Sequence, residues 1–303
     1  MTPVDLHFQA DIAHWSWTIA WFLWFVGIAG MGSVAYYFVR SKPLSFVIFG
    51  SLVLGLLFVV SHLSRWWNLP VVVWTMVVNG HFNFGSWMLI GVLLLSVHLV
   101  LAAVIVISNL PVLLARLGWL RWTARLGNNL PFLALFGFVG FFCTIYSGFL
   151  ISQAVGIPLW NTALIPVLWV VSGSLAVVAI LEMFYVFNVV DHRVSYFSSR
   201  IGLGLDATKL LAVLAFLHVS LAVGAPAGAR LGATEMVSGD LAMMTWVGVI
   251  GIGILVPLAV GVYMALVRDS KPLLFISSIA ALTGVLLLRA VILLAGVWEP
   301  LAL

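Results

Sequence analysis

The sequence predicts an all-α, polytopic membrane protein with eight transmembrane helices. Three observations carry that prediction. Hydrophobic residues make up 64% of the 303 residues and charged ones only 7%, against roughly 25% charged in a soluble domain. Apolar runs of the ~20 residues that cross a bilayer as a helix recur along the sequence. Alternating strand patterns, the mark of a membrane β-barrel, are absent.

Each run is bounded by polar or charged residues. The first, about 13–39, stops at Arg40 and Lys42, and its glycines 27, 30 and 32 suit close helix packing. No strand precedes those glycines, so close packing is favoured over a dinucleotide fingerprint. The second, about 44–64, stops at Arg65, and the third, 82–108, leads to a connection holding Arg116, Arg121 and Arg125. The fourth, 131–155, ends in the uncharged corner "GIPLWN", from which the fifth, 163–189, starts. The sixth, 206–224, follows a polar stretch with Arg193 and Arg200. The seventh, 241–267, and the eighth, 272–297, flank Arg268 and Lys271.

Lysine and arginine favour cytoplasmic connections. One set of connections holds Arg40, Lys42, Arg116, Arg121, Arg125, Arg193, Arg200, Lys209, Arg268 and Lys271; the other holds only Arg65 and Arg230. Ten against two places both termini outside, with outer connections at about 65–81, 156–162 and 225–240. The net charge of +4 then reflects topology and gives no reason to expect nucleic acid. Cys143 is the single cysteine, which rules out an internal disulfide, and no iron–sulfur or zinc site is expected in this chain. The first residues lack a basic region and a small-residue cleavage site, so the first helix is expected to be retained.

Polar chemistry gathers at the expected outer face. In "DIAHWSW" (11–17), Asp11 and His14 stand three apart and share a helix face. Histidine titrates near neutral pH and can exchange a proton with a bound carrier. Tyr146 falls at the same depth on the fourth helix. A quinone headgroup has two carbonyl acceptors and takes up two protons on reduction, so a phenol and an imidazole suit it. Arg65 and Asn83 flank the first outer connection as further contacts. The bland alternative for these residues is an interfacial belt of tyrosine, tryptophan and a helix-start carboxylate.

The stretch "YSGFLISQAVGIPLWNTALIPVLWVVSG" (146–173) resembles the helix 4–5 signature of the NrfD/PsrC family. "HLSRWWN" (62–68), "NFGSWM" (83–88), "GIAGMGSVAYY" (27–37) and "LLLRAVILLAG" (286–296) agree with it. The resemblance implies two four-helix bundles, 1–155 with the quinone site and 156–303 beside it. It implies a menaquinone or ubiquinone held near the outer face by a helix 1 histidine, an amide three residues before it, and the helix 4 tyrosine. Those positions fall on His14, Asp11 and Tyr146; the amide position holds an aspartate, which accepts a proton where an amide would donate. It also implies an outer iron–sulfur subunit and a molybdopterin catalytic subunit in the plasma membrane of a prokaryote, and usually no haem.

Glu182 and Arg289 are read as the one acid and the one base within the hydrocarbon region. Such groups face the interior and mark function or a structural bridge, and a proton path through them is the functional reading. A structural role is the expectation, because a single acid makes a thin path. Asp206 and Lys209 read as an i,i+3 pair at the inner interface. His98 and His218 keep a haem b anchor as a rival, since haem needs axial histidines on facing helices. A secondary transporter is the other rival; it would show inverted repeats and polar groups at the midplane. The connection 225–240 reads as a polar loop for docking a peripheral subunit.

Overall fold

The computed structural model describes residues 15–63, 65–80 and 82–299. In order of sequence run α1 (Trp17–Val39), α2 (Lys42–His62), α3 (Leu69–Asn79), α4 (Trp87–Ser108), α5 (Pro111–Arg116) and α6 (Arg121–Gly127). Then come α7 (Leu130–Ser152), α8 (Leu164–Val186), α9 (His192–Leu221), α10 (Ala227–Val237), α11 (Met244–Leu266) and α12 (Lys271–Leu294). Eight of these, α1, α2, α4, α7, α8, α9, α11 and α12, are long and apolar enough to span a membrane. No strand occurs among the described residues.

Local chemistry sets the helix starts. Pro43, Pro131 and Pro272 stand in the first turns of α2, α7 and α12, where a missing N–H costs nothing. Asn129 Oδ1 accepts the Phe132 N–H at 3.0 Å and caps α7. At the end of α1, Arg40 takes the left-handed conformation (φ 47°) and its N–H returns to the Tyr36 carbonyl.

The spans pack as two rings side by side. In one, α1 packs on α2 and α7, and α4 closes the ring against both. In the other, α8 packs on α9 and α12, and α11 closes it. The rings meet where α1 touches α8 and α12 and where α7 touches α8. Glycines make the tightest crossings. A Cβ on Gly30 would fall on the Gly140 carbonyl of α7, and one on Gly284 would fall on Gly253 of α11. A Cβ on Gly27 would meet an Arg289 nitrogen and approach the Gly173 backbone of α8. These are the close helix contacts expected of glycines 27 and 30.

One end of the bundle carries Arg40, Arg116, Arg121, Arg125 and Arg268 in its connections, with Lys42, Arg193 and Lys271 in adjoining first turns. It is the basic end. The other, the tryptophan end, carries Trp15, Trp66, Trp67, Trp160 and Trp298.

Two sequence expectations are corrected. The sixth span starts at His192, not at 206, and runs 30 residues, about 45 Å, well beyond the ~30 Å hydrocarbon core. Its polar first turns read as a connection in the sequence, but Ser195, Ser198 and Gly202 are buried there. Asp206 and Lys209 are therefore mid-helix, and Lys209 no longer counts with the basic residues of the connections. The connection 225–240 is not a simple loop either. It contains α10, whose Gly228, Ala229, Gly232, Ala233 and Met236 are buried. Glu299 accepts hydrogen bonds from the Ala227 and Gly228 N–H groups (3.1 and 2.7 Å), a carboxylate where the helix dipole favours one. The connection 65–81 holds α3, which exposes Val71, Trp74 and Val78.

Candidate functional site

The tyrosine expected at the site, Tyr146, lies six residues before the end of α7, about 9 Å below the tryptophan end. It is 5% exposed. Its ring lies along α4, where Gly91 leaves the space: a Cβ there would fall on the Tyr146 hydroxyl. One turn earlier on α4, Trp87 stacks near the Tyr146 ring at 6.4 Å and 26°, and on Phe149 at 5.3 Å. No hydrogen-bond partner for the Tyr146 hydroxyl occurs among the described residues. A phenol free to donate, held in an aromatic slot near one membrane face, is the site's central feature.

Asp11 and His14 lie outside the described residues. The segment that follows them is placed at the same end. Trp15 packs on Trp160 of the 156–160 corner at 5.5 Å, and Trp160 Nε1 donates to the Ile292 carbonyl at 2.7 Å. Thr18 Oγ1 is 3.1 Å from His62 Nδ1 at the end of α2. The uncharged corner after α7 is thus a centre of packing: Trp160 is 1% exposed, and Gly296 gives its ring room.

Arg65 and Asn83 are exposed. Asn83 Oδ1 accepts the Gly85 N–H at 3.1 Å, a local turn that leads into α4. No contact brings either residue to Tyr146. The residues that do surround it, Trp87 and Gly91, were passed over in the sequence. Trp87 within "NFGSWM" and Gly91 after it stand at i, i+4, and that spacing was the available signal.

Glu182 and Arg289 do not face one another. Glu182 lies four residues from the basic end of α8, about 6 Å in. Its carboxylate accepts from Ser199 Oγ (2.8 Å) and Ser278 Oγ (3.3 Å). Arg289 lies five residues from the tryptophan end of α12 and is fully buried. It donates to Ser172 Oγ (3.0 Å) and the Val285 carbonyl (3.2 Å), and its guanidinium stands over Trp169 at 5.3 Å.

They are not alone in the hydrocarbon region, which corrects a further expectation. Asp206 (4% exposed) and Lys209 (0%) are buried between them in depth. Lys209 Nζ donates to the Gly253 carbonyl at 3.1 Å, and among the described residues no ion pair joins it to Asp206. That carbonyl lies in the π-helical stretch just before Pro257. Polar chemistry therefore lies at the centre of the second ring as well as at the tryptophan end.

His98 is buried against Ser33 (Nε2–Oγ 2.7 Å) and packs on Phe136. His218 is exposed on α9, in the other ring. The two do not supply facing ligands.

A family model described as NrfD, polysulphide reductase, matches residues 5–300. Protein NrfD of Escherichia coli is 29% identical over 318 residues, covering 96% of this chain and 96% of that protein. One of the polysulfide reductase subunits of Wolinella succinogenes is 27% identical, with coverage of 95% here and 96% there. A protein NrfD homolog of Haemophilus influenzae is 27% identical, covering 97% of each.

Proposed function

Because the chain belongs to the NrfD polysulphide reductase family of membrane subunits, we propose that it is the quinone-reactive anchor of a multisubunit oxidoreductase. The observation that supports this most is Tyr146: a buried phenol whose hydroxyl has no partner among the described residues, beside Trp87, with Gly91 keeping the slot open. A flat ring with carbonyls on opposite edges suits that slot. The quinone pool supplies two-electron, two-proton chemistry; the protein's part is to hold the headgroup and manage its protons. Tyr146 donates to one carbonyl, His14 meets the other and exchanges a proton, and Asp11 receives a proton released on quinol oxidation. Arg65 and Asn83 line the mouth rather than the slot.

The basic end faces the cytoplasm under the positive-inside rule, which puts the quinone slot at the outer face of a prokaryotic plasma membrane. Electrons pass there to or from an iron–sulfur subunit, and through it a molybdopterin catalytic subunit that sets the terminal substrate. Residues 1–155 form the quinone-holding unit and 156–303 its companion.

His14→Ala in the assembled complex tests this. Quinol-linked turnover should fall about 10²-fold, the scale of a lost acid–base group, while an artificial donor to the outer subunits still supports activity. Asp11→Asn should slow turnover if the carboxylate accepts the proton. Unchanged quinol kinetics in both variants would remove the assignment.

A further inference from the structure

The second ring contains groups that the quinone site does not use. Glu182, Ser199 and Asp206 line one small cavity between α8, α9, α11 and α12. It measures about 20 Å³, room for about one water molecule. Toward the basic end lies a larger cavity of about 280 Å³, lined by His192, Ser195, Ser199, Arg200 and Asp269 among others. The two share Ser199, Leu203, Gly261 and Met264 as walls. At the rim, His192 Nε2 and Asp269 Oδ2 form an exposed pair at 2.6 Å.

Inward from that rim the polar groups form a ladder. Ser199 bridges the larger cavity to Glu182. Asp206 follows about 10 Å further along α9, and its Oδ1 has no hydrogen-bond partner in the small cavity. Lys209 comes next, tied to Gly253 in the π-helical first half of α11. Arg289 stands beyond it, toward the other face.

The geometry points to a proton well: an inlet that carries protons from the basic end, through Ser199, to Glu182 and Asp206 in the membrane interior. A proton rather than a metal ion is the ligand. Both Glu182 oxygens already accept serine hydroxyls, and no cluster of three or more metal-ligating side chains occurs among the described residues. The transfer needs no redox partner: a hydronium proton at the rim passes through water and the Ser199 hydroxyl to a carboxylate oxygen, and the Ser199 proton is replaced from the rim. The His192–Asp269 pair and Arg200 are the charged groups of the mouth. Lys209 and Arg289 end the ladder as two buried cations that oppose a proton moving on, so the well opens to one side only.

The inference stands apart from the quinone reading, and its test uses no quinol. Ser199→Cys and Leu203→Cys are made separately in a Cys143→Ser background, in the assembled complex in sealed vesicles. A membrane-impermeant maleimide applied on the side of the basic end should label both at least about tenfold faster than from the other side. Infrared difference spectra recorded on acidifying that side should show a protonated-carboxyl band that shrinks by about half in Glu182→Gln or Asp206→Asn and disappears in the double variant. Ser278→Cys, whose hydroxyl lies behind Glu182, should label slowly from both sides. Equal or absent labelling of both inlet positions, or a carboxyl band unchanged in the double variant, would overturn the well.

Discussion

Tyr146→Phe is expected to lower quinol-linked turnover about 10²-fold, the loss typical of one acid–base or donor group. The substitution removes one oxygen. The ring's stacking on Trp87 and its burial against α4 remain, so the complex should assemble and still accept electrons from an artificial donor. Because the hydroxyl has no partner among the described residues, its removal breaks no hydrogen bond there. A loss of quinol activity would therefore report a lost contact with the substrate rather than damage to the fold. Gly91→Ala should act in the same direction by a different route, since its Cβ would occupy the hydroxyl's position and push the ring aside. The check is steady-state turnover with quinol and with dye in parallel.

Gly30→Leu should have the largest effect on the fold. Gly30 lies where α1 crosses α7, and a side chain there meets the Gly140 carbonyl, a backbone atom that cannot rotate away. Overpacking of a tight core costs about 1–3 kcal/mol or more, and here the strain is central, because α1 touches α2, α7, α8 and α12. The expected outcome is a several-fold drop in protein recovered from membranes and a lower unfolding temperature. Gly50→Leu on α2 is the control, as nothing lies within 4 Å of a Cβ there. Equal recovery and equal unfolding temperatures for the two variants would show that the crossing is looser than its geometry.

The spans and the polar corner after α7 were legible because hydropathy and turn chemistry are local. The glycines of α1 were legible for the same reason: spacing alone marks a packing face. The start of α9 was not. Ser195, Ser198, Asp206 and Lys209 interrupt the apolar run, and a hydropathy reading takes polar residues for a connection. They lie inside a helix because α8, α11 and α12 bury them and supply partners such as Glu182 and the Gly253 carbonyl, which only the tertiary arrangement reveals. Gly91 was missed for a related reason. Its role is an absence of side chain opposite Tyr146, and that pairing joins positions 55 residues apart. The relative depths of Glu182 and Arg289 were not legible, since sequence order sets no common level for helices that run in opposite directions.

The most direct test of the quinone site is a photoreactive quinone analogue bound to the assembled complex, illuminated, and mapped to peptides by mass. Labelling should fall on the segments that carry His14, Trp87 and Tyr146 and should be suppressed by excess natural quinone. Labelling confined to α8–α12, or labelling that natural quinone does not suppress, would contradict the account.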